Sequence, residues 1–477
     1  MQAVIYPQPS HASPTRDWFD VAVIGAGVVG CAVARSFAIR GLSTLVIERG
    51  GDILEGASKG NSALLHTGYD EPEGSEELRI LWHGFNLYRR MHHRMNLPLV
   101  ETGALVVAWT PEQAALLDGI TGHAHRNGTT DARVVSQAEL RTREPHLSEA
   151  ALGAVLIPGE AIIDPWSAPL AYMMQATMYG AQLVTNAELM RAERRGDGWR
   201  LTTLAGEFGA RLVVNAAGLF GDRVEALRGV DPTFTIKPRK GQFVVFDKPA
   251  ASLVNAVILR VPTTRTKGIL ITRTVFGNLL LGPTAEDQQD RIHATCDDAT
   301  LAAMIVEGTA MVPALAGQTV NATYAGLRPA TEHRDYVLKS DDAARWITLG
   351  GIRSTGLSAA LGLGEWAAAQ GGRILGQERP SPGDDDLDWP TMPNLSEYAV
   401  RPYQREGRSR MACHCEWVTE AELEAAMTGP LPAGTLGGLK RRTRVMMGRC
   451  QGFGCTGAVC RIAPHLLGTE EIREAAE

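Results

Sequence analysis

The chain has 477 residues, 44% of them hydrophobic and 21% charged, which suits a globular protein of two or three domains. Its net charge of -6 argues against binding to nucleic acid, because phosphate binding needs a basic surface. No apolar run reaches the length of a membrane-spanning helix, and residues 1–16 lack the apolar core of a secretory signal. We therefore expect a cytoplasmic protein without a transmembrane segment, which leaves peripheral contact with a membrane open.

The first predicted elements form a β-α-β unit. A buried strand at residues 20–24 runs into the sequence Gly-Ala-Gly-Val-Val-Gly at residues 25–30. An alanine-rich helix then continues to about residue 40, and residues 43–48 form a second strand. This order of strand, glycine turn and helix is typical of a dinucleotide-binding fold.

The glycines and one acid of this unit match the needs of a dinucleotide. Gly25 permits a tight turn, Gly27 lets the backbone approach a pyrophosphate, and Gly30 allows the helix to pack closely on the strand. Glu48 ends the second strand, where a carboxylate accepts hydrogen bonds from ribose hydroxyls and repels a phosphate. The unit therefore predicts FAD or NAD and disfavours NADP.

The later elements suggest a second, antiparallel sheet. Residues 56–69 are rich in Gly, Ser and Asn and form a loop or a helix entry. The remaining predictions, in chain order, are helices at residues 78–95, 111–126 and 163–179 and strands at residues 102–109, 211–215, 242–246, 255–259, 268–272, 278–282 and 346–350. Glycine turns follow two buried strands, at residues 215–218 and 350–356. Ligands of open α/β sheets bind at such strand ends, which favours FAD, although ordinary strand-end turns have the same composition.

The C-terminal part carries five of the seven cysteines. Residues 377–408, rich in Pro, Asp and Gly, predict a linker. Cys413, Cys415, Cys450 and Cys455 then form a C-x-C and a C-x4-C pair, and four thiolates hold either a 2Fe-2S cluster or zinc. Structural zinc usually uses C-x2-C, so the tighter C-x-C pair is less typical of zinc, and both metal groups stay open from the residues alone.

Three cysteines and a basic run have no place in this ligand set. Cys31 is expected in the core and Cys460 as a small buried hydrophobe, while Cys296 has no assigned role. The basic run that begins at residues 440–444 and extends to Arg449 either offsets the negative charge of a cluster or forms a solvated helix face.

The motifs resemble the D-amino-acid-oxidase-like superfamily of FAD-dependent oxidoreductases, which includes glycine oxidase and glycerol-3-phosphate dehydrogenase. The resemblance runs from about residue 19 to about residue 372. The pattern Ser-x-x-Asn-Ser-x-x-x-His-x-Gly at residues 58–68 is similar to the branch of anaerobic glycerol-3-phosphate dehydrogenase and L-2-hydroxyglutarate dehydrogenase. The tail resembles a bacterioferritin-associated-ferredoxin-like 2Fe-2S module. Further matching segments are residues 239–242, 281–284 and 326–329 and the two glycine turns.

The resemblance implies an α/β fold with a Rossmann-like FAD-binding domain, an interleaved antiparallel-sheet substrate domain and a small C-terminal iron-sulfur module. The FAD-binding domain would span residues 19–100, 150–230 and 325–376, and the substrate domain residues 101–149 and 231–324. An N-terminal tail at 1–18, the linker at 377–408 and the 2Fe-2S-binding module at 409–477 complete the chain. The implied FAD contacts are Gly25, Gly27, Gly30, Glu48, Ser58, Asn61, Ser62, His66, Ala217, Gly218, Gly351, Ile352, Ser354, Gly356 and Leu357.

Oxidation by a flavin requires a base for the heteroatom proton and cations for an acidic substrate group. His66 is the candidate base, with a purely structural contact to the cofactor or a covalent tether to it as alternatives. Arg328 and Arg353 are the candidate anion binders, unless they form structural ion pairs. Weaker candidates are Lys240, Tyr324 and His333.

Together these features predict an FAD-dependent dehydrogenase that oxidises a CH-OH substrate bearing a phosphate or carboxylate. Electrons would pass through the 2Fe-2S cluster to a protein or quinone acceptor, because a built-in one-electron carrier argues against an oxidase. We expect an electron-accepting partner subunit or a heteromeric complex. An amine or imino-acid dehydrogenase with the same cofactors and a redox component without substrate turnover are the alternatives.

Overall fold

The structure is a computed structural model that describes residues 4–6, 18–262, 268–405, 407 and 409–467. The sequence predictions for residues 1–16, a tail without a secretory signal, lie outside the described residues except for 4–6. Within the described ranges, no helix combines the length and the apolar character needed to cross a membrane.

Within the described residues, the strands belong to two large sheets and two small ones. In chain order they are β1 (Val4–Tyr6), β2 (Trp18–Ile24), β3 (Thr44–Ile47), β4 (Leu64–Leu65), β5 (Leu99–Val100), β6 (Ala104–Ala108), β7 (Arg133–Ser136), β8 (Gly153–Ile157), β9 (Ala161–Ile163), β10 (Gln182–Thr185), β11 (Leu189–Arg195), β12 (Gly198–Thr203), β13 (Gly206–Asn215), β14 (Lys237–Phe246), β15 (Val257–Arg260), β16 (Leu270–Arg273), β17 (Leu279–Gly282), β18 (Glu286–Asp287), β19 (Val320–Ala330), β20 (Val337–Asp341), β21 (Trp346–Gly350), β22 (Met411–Cys413) and β23 (Val418–Thr419).

The α-helices fill the connections and the end of the chain. They are α1 (Val28–Ala38), α2 (Glu76–Met91), α3 (Pro111–Ala114), α4 (Leu117–Arg126), α5 (Gln137–Arg143), α6 (Ser167–Met178), α7 (Gly221–Ala226), α8 (Asp298–Met311), α9 (Gly356–Leu375), α10 (Glu420–Thr428), α11 (Leu436–Thr443) and α12 (Thr456–Ile462). Short 3-10 helices occur at Ala57–Lys59, His92–Met95, Gly218–Phe220, Lys248–Leu253, Pro313–Leu315, Asp384–Asp386, Pro402–Gln404 and Pro464–Leu466.

The first large sheet is the predicted Rossmann-like sheet. Its strand order is β1-β10-β3-β2-β13-β12-β11, and β21 pairs with β13 and β20. Strands β10, β3, β2, β13 and β21 run parallel to one another. Because side chains alternate along a strand, Val21 and Val23 face a core shared with α1, α2, α6 and α9, whereas Ala22 and Ile24 face the opposite core. The predicted β-α-β unit is therefore confirmed.

The second large sheet has the order β18-β14-β17-β16-β15-β6-β8-β7, with β19 on the other side of β14. Its pairs are antiparallel as predicted, except that β15 and β6 are parallel. Strands β14 and β19 pair along almost their whole lengths, from Lys237 opposite Ala330 to Phe246 opposite Val320. This long ladder is the part of the sheet that reaches the candidate site.

Three predicted helices have different bounds in the structure. The helix predicted at 78–95 begins earlier, because the Ser75 hydroxyl accepts the Leu78 N–H, and it ends in the 3-10 helix His92–Met95. The helix predicted at 111–126 is two helices, α3 and α4. The helix predicted at 163–179 starts at Ser167, because Asp164 accepts the backbone N–H groups of Trp166 and Ser167.

The segment predicted as a linker packs against the main body. Leu387, Met392 and Leu395 are buried, and the Met392 N–H donates to the Met95 carbonyl. The segment from residue 409 has a hydrophobic cluster of its own, which includes Val418, Leu439 and other side chains of β22, β23 and α10–α12. We call residues 409–467 the C-terminal module.

Candidate active site

Three turns converge at the carboxyl edge of the parallel sheet. Ile24 lies opposite Asn215 in the ladder of β2 and β13, and Asn215 lies opposite Thr348 in the ladder of β13 and β21. The turns that follow these strands are therefore neighbours, as expected for strands that end in register. The glycine turn after β2, the Ala217-Gly218 turn and the turn of residues 351–357 thus meet at one edge.

The glycine turn admits no side chains at two positions. A Cβ on Gly30 would lie 1.8 Å from the Gly25 carbonyl oxygen, so the first turn of α1 packs directly on the backbone of the turn. Gly25 has φ +101°, and a Cβ there would lie 2.8 Å from the Ala216 carbonyl oxygen. The tight turn and the close approach of helix to strand are as the sequence predicts.

Glu48 reaches from the end of β3 into the glycine turn. Its carboxylate accepts the Ala26 N–H at 2.7 Å and the Gly50 N–H at 2.7 Å. Burial raises the pKa of Glu48 even though these two hydrogen bonds favour its charged form. The carboxylate that is predicted to accept hydrogen bonds from a ribose is therefore fixed beside the glycine turn.

The N-terminus of α1 lies beside the loop of residues 57–63. The Ser58 hydroxyl accepts the Val28 N–H at 3.0 Å, so it lies where a helix N-terminus attracts an anion. Asn61 accepts the Ala63 N–H at 2.8 Å and donates to the Ser58 carbonyl at 3.2 Å. Ser58 and Asn61, two of the predicted FAD contacts, therefore also fix the conformation of the loop. Ser62 beside them is half-buried.

The turn of residues 351–357 leads into α9 next to the start of α1. Gly351 has φ +68°, and a Cβ on Gly356 would lie 3.0 Å from the Ile352 side chain and 4.0 Å from that of Val28. Ser354 is exposed and Leu357 is half-buried. The turn therefore lies beside the N-terminus of α1, on the same side of the candidate cofactor site.

His66 is held by a buried carboxylate. Its Nδ1 lies 3.0 Å from Glu160 Oε2, and the Glu160 side chain is 1% exposed while that of His66 is 26% exposed. The second Glu160 oxygen accepts the Thr67 N–H at 2.7 Å and the Thr67 hydroxyl at 2.9 Å. The backbone N–H of His66 donates to the Ser358 hydroxyl at 2.8 Å. Both the ring and the backbone of His66 are therefore fixed.

Arg328 lies on the face of β19 that meets the loop of residues 57–63. Tyr324 and Gly326 share this face by alternation: the Tyr324 hydroxyl donates to the Asn61 carbonyl at 2.7 Å, and a Cβ on Gly326 would touch Gly60. The Arg328 guanidinium donates to the Thr284 carbonyl at 3.0 Å. Within the described residues it has no carboxylate partner, and burial together with the nearby Arg239 lowers its pKa to about 10.

The other predicted polar candidates already have partners. Arg353 pairs with the buried Glu77 at 3.3 Å and donates to the His333 carbonyl, which is the structural ion pair considered as its alternative. Lys240 pairs with Glu286 at 3.1 Å. The His333 side chain is 49% exposed. Among the candidate cations, Arg328 is therefore the one that is available to an anionic ligand.

The four predicted cysteine ligands lie together in two thiol pairs. A hydrogen bond from Cys455 lowers the pKa of Cys413 to about 6, and Cys415 pairs with Cys450. The Gly454 N–H lies 3.5 Å from Cys450 Sγ, and this contact lowers the pKa of Cys450. A Cβ on Gly448 would lie 2.3 Å from that of Cys415, so the fold makes room for this thiol.

This arrangement does not amount to a metal site. Across the described part of the chain, no three or more His, Cys, Asp or Glu side chains are placed to hold a metal ion. The donor set of four thiols with a backbone N–H directed at sulfur still suits a thiolate-bound cluster. The 2Fe-2S cluster therefore stays a prediction.

The cysteine loop contacts the sheet that carries Arg328. The Gln451 side chain donates to the Asn321 carbonyl at 3.1 Å, and Asn321 precedes Tyr324 by three residues on β19. At ~3.3 Å per residue, the loop thus touches β19 roughly 10 Å along the strand from the contact between Tyr324 and Asn61.

The remaining cysteines and the basic run have structural environments. Cys31 is fully buried as expected, and Cys460 packs at the edge of the hydrophobic cluster of the module. Cys296 is half-buried beside the second sheet. Most of the basic run is buried: Arg441 and Arg442 pair with Glu55 and Asp52 of the main body, and Arg444 pairs with Glu416, the residue that follows Cys415.

Glu160 and Ser358 are site residues that the sequence analysis missed. Glu160 stands between the apolar strands β8 and β9, and a carboxylate in so apolar a stretch is a signal that a partner is needed. Ser358 lies in the first turn of α9, two residues after the glycine turn, and no sequence pattern links it to His66.

Residues 20–370 match the family model DAO, described as FAD dependent oxidoreductase. The chain is 30% identical over 459 residues to the glycerol 3-phosphate dehydrogenase of Caloramator mitchellensis, and the match covers 95% of each chain. It is 28% identical to one subunit of the anaerobic glycerol-3-phosphate dehydrogenase of Escherichia coli K12, over 93% of this chain and 87% of that protein. The resemblance predicted from the cofactor motifs is confirmed.

The fold is similar to that of a solved flavoprotein. The structure of L-alpha-glycerophosphate oxidase from Mycoplasma pneumoniae with FAD bound has a TM-score of 0.70 at 23% identity, and the likeness covers 77% of this chain and 97% of that chain. At this level of identity the likeness concerns the fold. The chain belongs to the DAO family of FAD-dependent oxidoreductases.

Proposed function

We propose that the chain is an FAD-dependent dehydrogenase of the glycerol-3-phosphate type. It oxidises a CH-OH group in a substrate that carries a phosphate, or a carboxylate in the same position, and passes the electrons through a 2Fe-2S cluster to a protein or quinone acceptor. Relatives named glycerol 3-phosphate dehydrogenase that match nearly the whole chain support the substrate class.

The observation that carries the proposal is the availability of Arg328. A half-buried guanidinium without a carboxylate partner among the described residues is costly unless an anion binds to it. Its planar fork suits phosphate and carboxylate oxygens. Since Arg328 shares a face of β19 with Tyr324 and Gly326, the bound anion would lie beside the loop of residues 57–63, where the oxidised carbon must be.

His66 is the proposed base of the reaction. It removes the proton from the substrate hydroxyl, and the buried carboxylate of Glu160 stabilises the imidazolium that forms and keeps the ring oriented. FAD, when bound, supplies the hydride acceptor. Gly25, Gly27, Gly30 and Glu48 would hold its AMP half.

The remaining FAD contacts are proposed on both sides of the flavin half. Ser58, Asn61 and Ser62 would approach it from the loop of residues 57–63, and the two later turns from the sheet edge. These turns contribute Ala217, Gly218, Gly351, Ile352, Ser354, Gly356 and Leu357. Arg353 would shape the second turn through its pair with Glu77, which limits its role as an anion binder.

The C-terminal module is the proposed electron exit. Cys413, Cys415, Cys450 and Cys455 would bind the cluster, which supplies one-electron transfer. The contact of Gln451 with β19 supports this role, because it joins the cysteine loop to the strand that contacts the loop of residues 57–63. Zinc in place of iron would remove the support for an electron exit.

The coverage of the relatives favours a dehydrogenase over an oxidase. The match to the oxidase from Mycoplasma pneumoniae covers 97% of that protein but 77% of this chain. The match to the Caloramator dehydrogenase covers 95% of this chain. Most of the cysteine-containing tail is thus included in the match to the dehydrogenase. Because the Escherichia coli relative is named as one subunit of its enzyme, it supports the proposal of an electron-accepting partner.

Anaerobic mixing of the oxidised holoenzyme with a substrate panel tests the proposal. Glycerol 3-phosphate or a 2-hydroxy acid should bleach the flavin absorbance within seconds, and a secondary amino acid should not. Bleaching by the amino acid alone would replace the proposal with an amine dehydrogenase. No bleaching by any substrate, with reduction by a reduced partner protein, would leave a redox component without turnover.

A further inference from the structure

The C-terminal module binds directly to the segment that follows Glu48. Arg442 of α11 forms a bidentate pair with Asp52, at 2.8 and 2.9 Å, and the Gly434 N–H donates to the same carboxylate at 2.9 Å. A Cβ on Gly438 would lie 1.7 Å from Asp52 Oδ2, so α11 packs on Asp52 without a side chain between them. The contact is close and specific.

A second ion pair lies next to the first. Arg441 donates to Glu55 at 2.6 Å and to the Ile53 carbonyl at 3.1 Å, and the Thr435 hydroxyl donates to Glu55 at 2.8 Å. The side chains of Arg441 and Arg442 are each 8% exposed. The Asp52 side chain is 1% exposed and that of Glu55 is 27% exposed, so loss of Arg442 would leave a buried carboxylate without its counter-charge.

The same segment is hydrogen-bonded to the dinucleotide turn on its other side. The Leu54 N–H donates to the Ala26 carbonyl at 3.0 Å, and the Gly50 N–H donates to the Glu48 carboxylate at 2.7 Å. Ala26 donates in turn to Glu48 at 2.7 Å. Residues 50–55 therefore connect the module to the turn and to the carboxylate expected at the ribose.

We infer that Arg441 and Arg442 are positioning residues for the cofactor. They hold residues 50–55, and through them Glu48 and Ala26, in the arrangement that receives the AMP half of FAD. The C-terminal module thus retains FAD in addition to its proposed electron role. This inference rests on the proposed placement of FAD at the glycine turn.

The test measures FAD release from the full-length holoenzyme on serial dilution, by the recovery of free flavin fluorescence. Arg442→Met should raise the dissociation constant of FAD at least about 10-fold. Arg461→Met is the matched control, because Arg461 forms an exposed pair with Glu420 in the same module. The control should stay within about twofold of the wild type.

A double variant separates cofactor positioning from folding. Asp52→Asn combined with Arg442→Met removes both charges, so its unfolding midpoint in excess FAD should recover towards the wild type while the dissociation constant of FAD stays raised. Thr435→Val, which loses the hydrogen bond to Glu55 and the N-cap hydrogen bond from the Gly438 N–H, gives a milder rise of about threefold if Arg442→Met does not fold. FAD affinity that recovers together with the midpoint, or that never changes, would overturn the inference.

Glu48→Gln distinguishes this inference from the proposal beneath it. If Glu48→Gln leaves FAD affinity unchanged, the placement of FAD at the glycine turn fails, and the inference fails with it. If Glu48→Gln weakens FAD binding but Arg442→Met does not, the placement stands and only the role of the module is wrong.

Discussion

Replacing Arg328 by Met removes the one candidate cation that has no carboxylate partner among the described residues, at nearly constant side-chain length. A charge-assisted hydrogen bond to an anion contributes about 1.5–3 kcal/mol. The loss should therefore lower kcat/KM for glycerol 3-phosphate by about 10- to 150-fold. Because the pKa of Arg328 is about 10, the side chain is charged at neutral pH and the change removes a full positive charge.

The assay is steady-state turnover with glycerol 3-phosphate and an artificial electron acceptor, with inorganic phosphate as a competitive inhibitor. In Arg328→Met, inhibition by phosphate should weaken along with kcat/KM. The control is Arg239→Met: Arg239 lies opposite Arg328 on β14, but it pairs with Asp287 and its side chain is 45% exposed. The control should change neither quantity by more than about twofold.

Protein stability distinguishes lost binding from misfolding. Burial disfavours the charged form of Arg328, so Arg328→Met should keep or raise the denaturant midpoint of the protein. Unchanged kcat/KM and unchanged phosphate inhibition would refute the role of Arg328 in substrate binding. A loss of activity that is accompanied by a lower midpoint would refute the reasoning about its burial.

Three further variants test other parts of the site. Glu160→Gln should slow flavin reduction by substrate about 10- to 100-fold in anaerobic stopped flow with little change in substrate affinity, because His66 loses its orienting carboxylate; an equal loss in affinity would contradict this. Gly30→Ala should abolish FAD binding, seen as colourless purified protein, because its Cβ would lie 1.8 Å from the Gly25 carbonyl; a yellow, folded variant would show that the turn adapts. Cys450→Ser should stop electron transfer to the acceptor while the substrate still bleaches the flavin, and loss of both would place this cysteine outside the electron exit.

The cofactor site could be predicted because its signals are local. Gly25, Gly27 and Gly30 lie within six residues, and their need for space and for a tight turn depends on the backbone that they themselves build. Glu48 follows at the end of the next strand, so the spacing of one β-α-β unit is enough to place it. The antiparallel strands from residue 242 onward can be predicted for the same reason, because each is a short apolar run between turns.

The contacts that the sequence did not predict join distant segments. Glu160 meets His66 across 94 residues, and Arg442 meets Asp52 across 390. Nothing in the basic run at residues 440–444 distinguishes a solvated helix face from a buried interface, since the difference lies in which acids the fold brings to it. The helix predicted at residues 163–179 starts later in the structure, at Ser167, for a similar reason. Its first predicted residue, Ile163, belongs to β9, which pairs with the distant strands β4 and β5.

Electron paramagnetic resonance of the holoenzyme tests the central claim most directly. The protein would be purified anaerobically with its iron and zinc content measured, reduced with glycerol 3-phosphate alone, and frozen. The account predicts two iron atoms per chain and the signal of a reduced 2Fe-2S cluster, because electrons from the substrate pass through the flavin to the thiolate-bound iron. Zinc in place of iron, or iron that stays oxidised while the flavin is bleached, would contradict it.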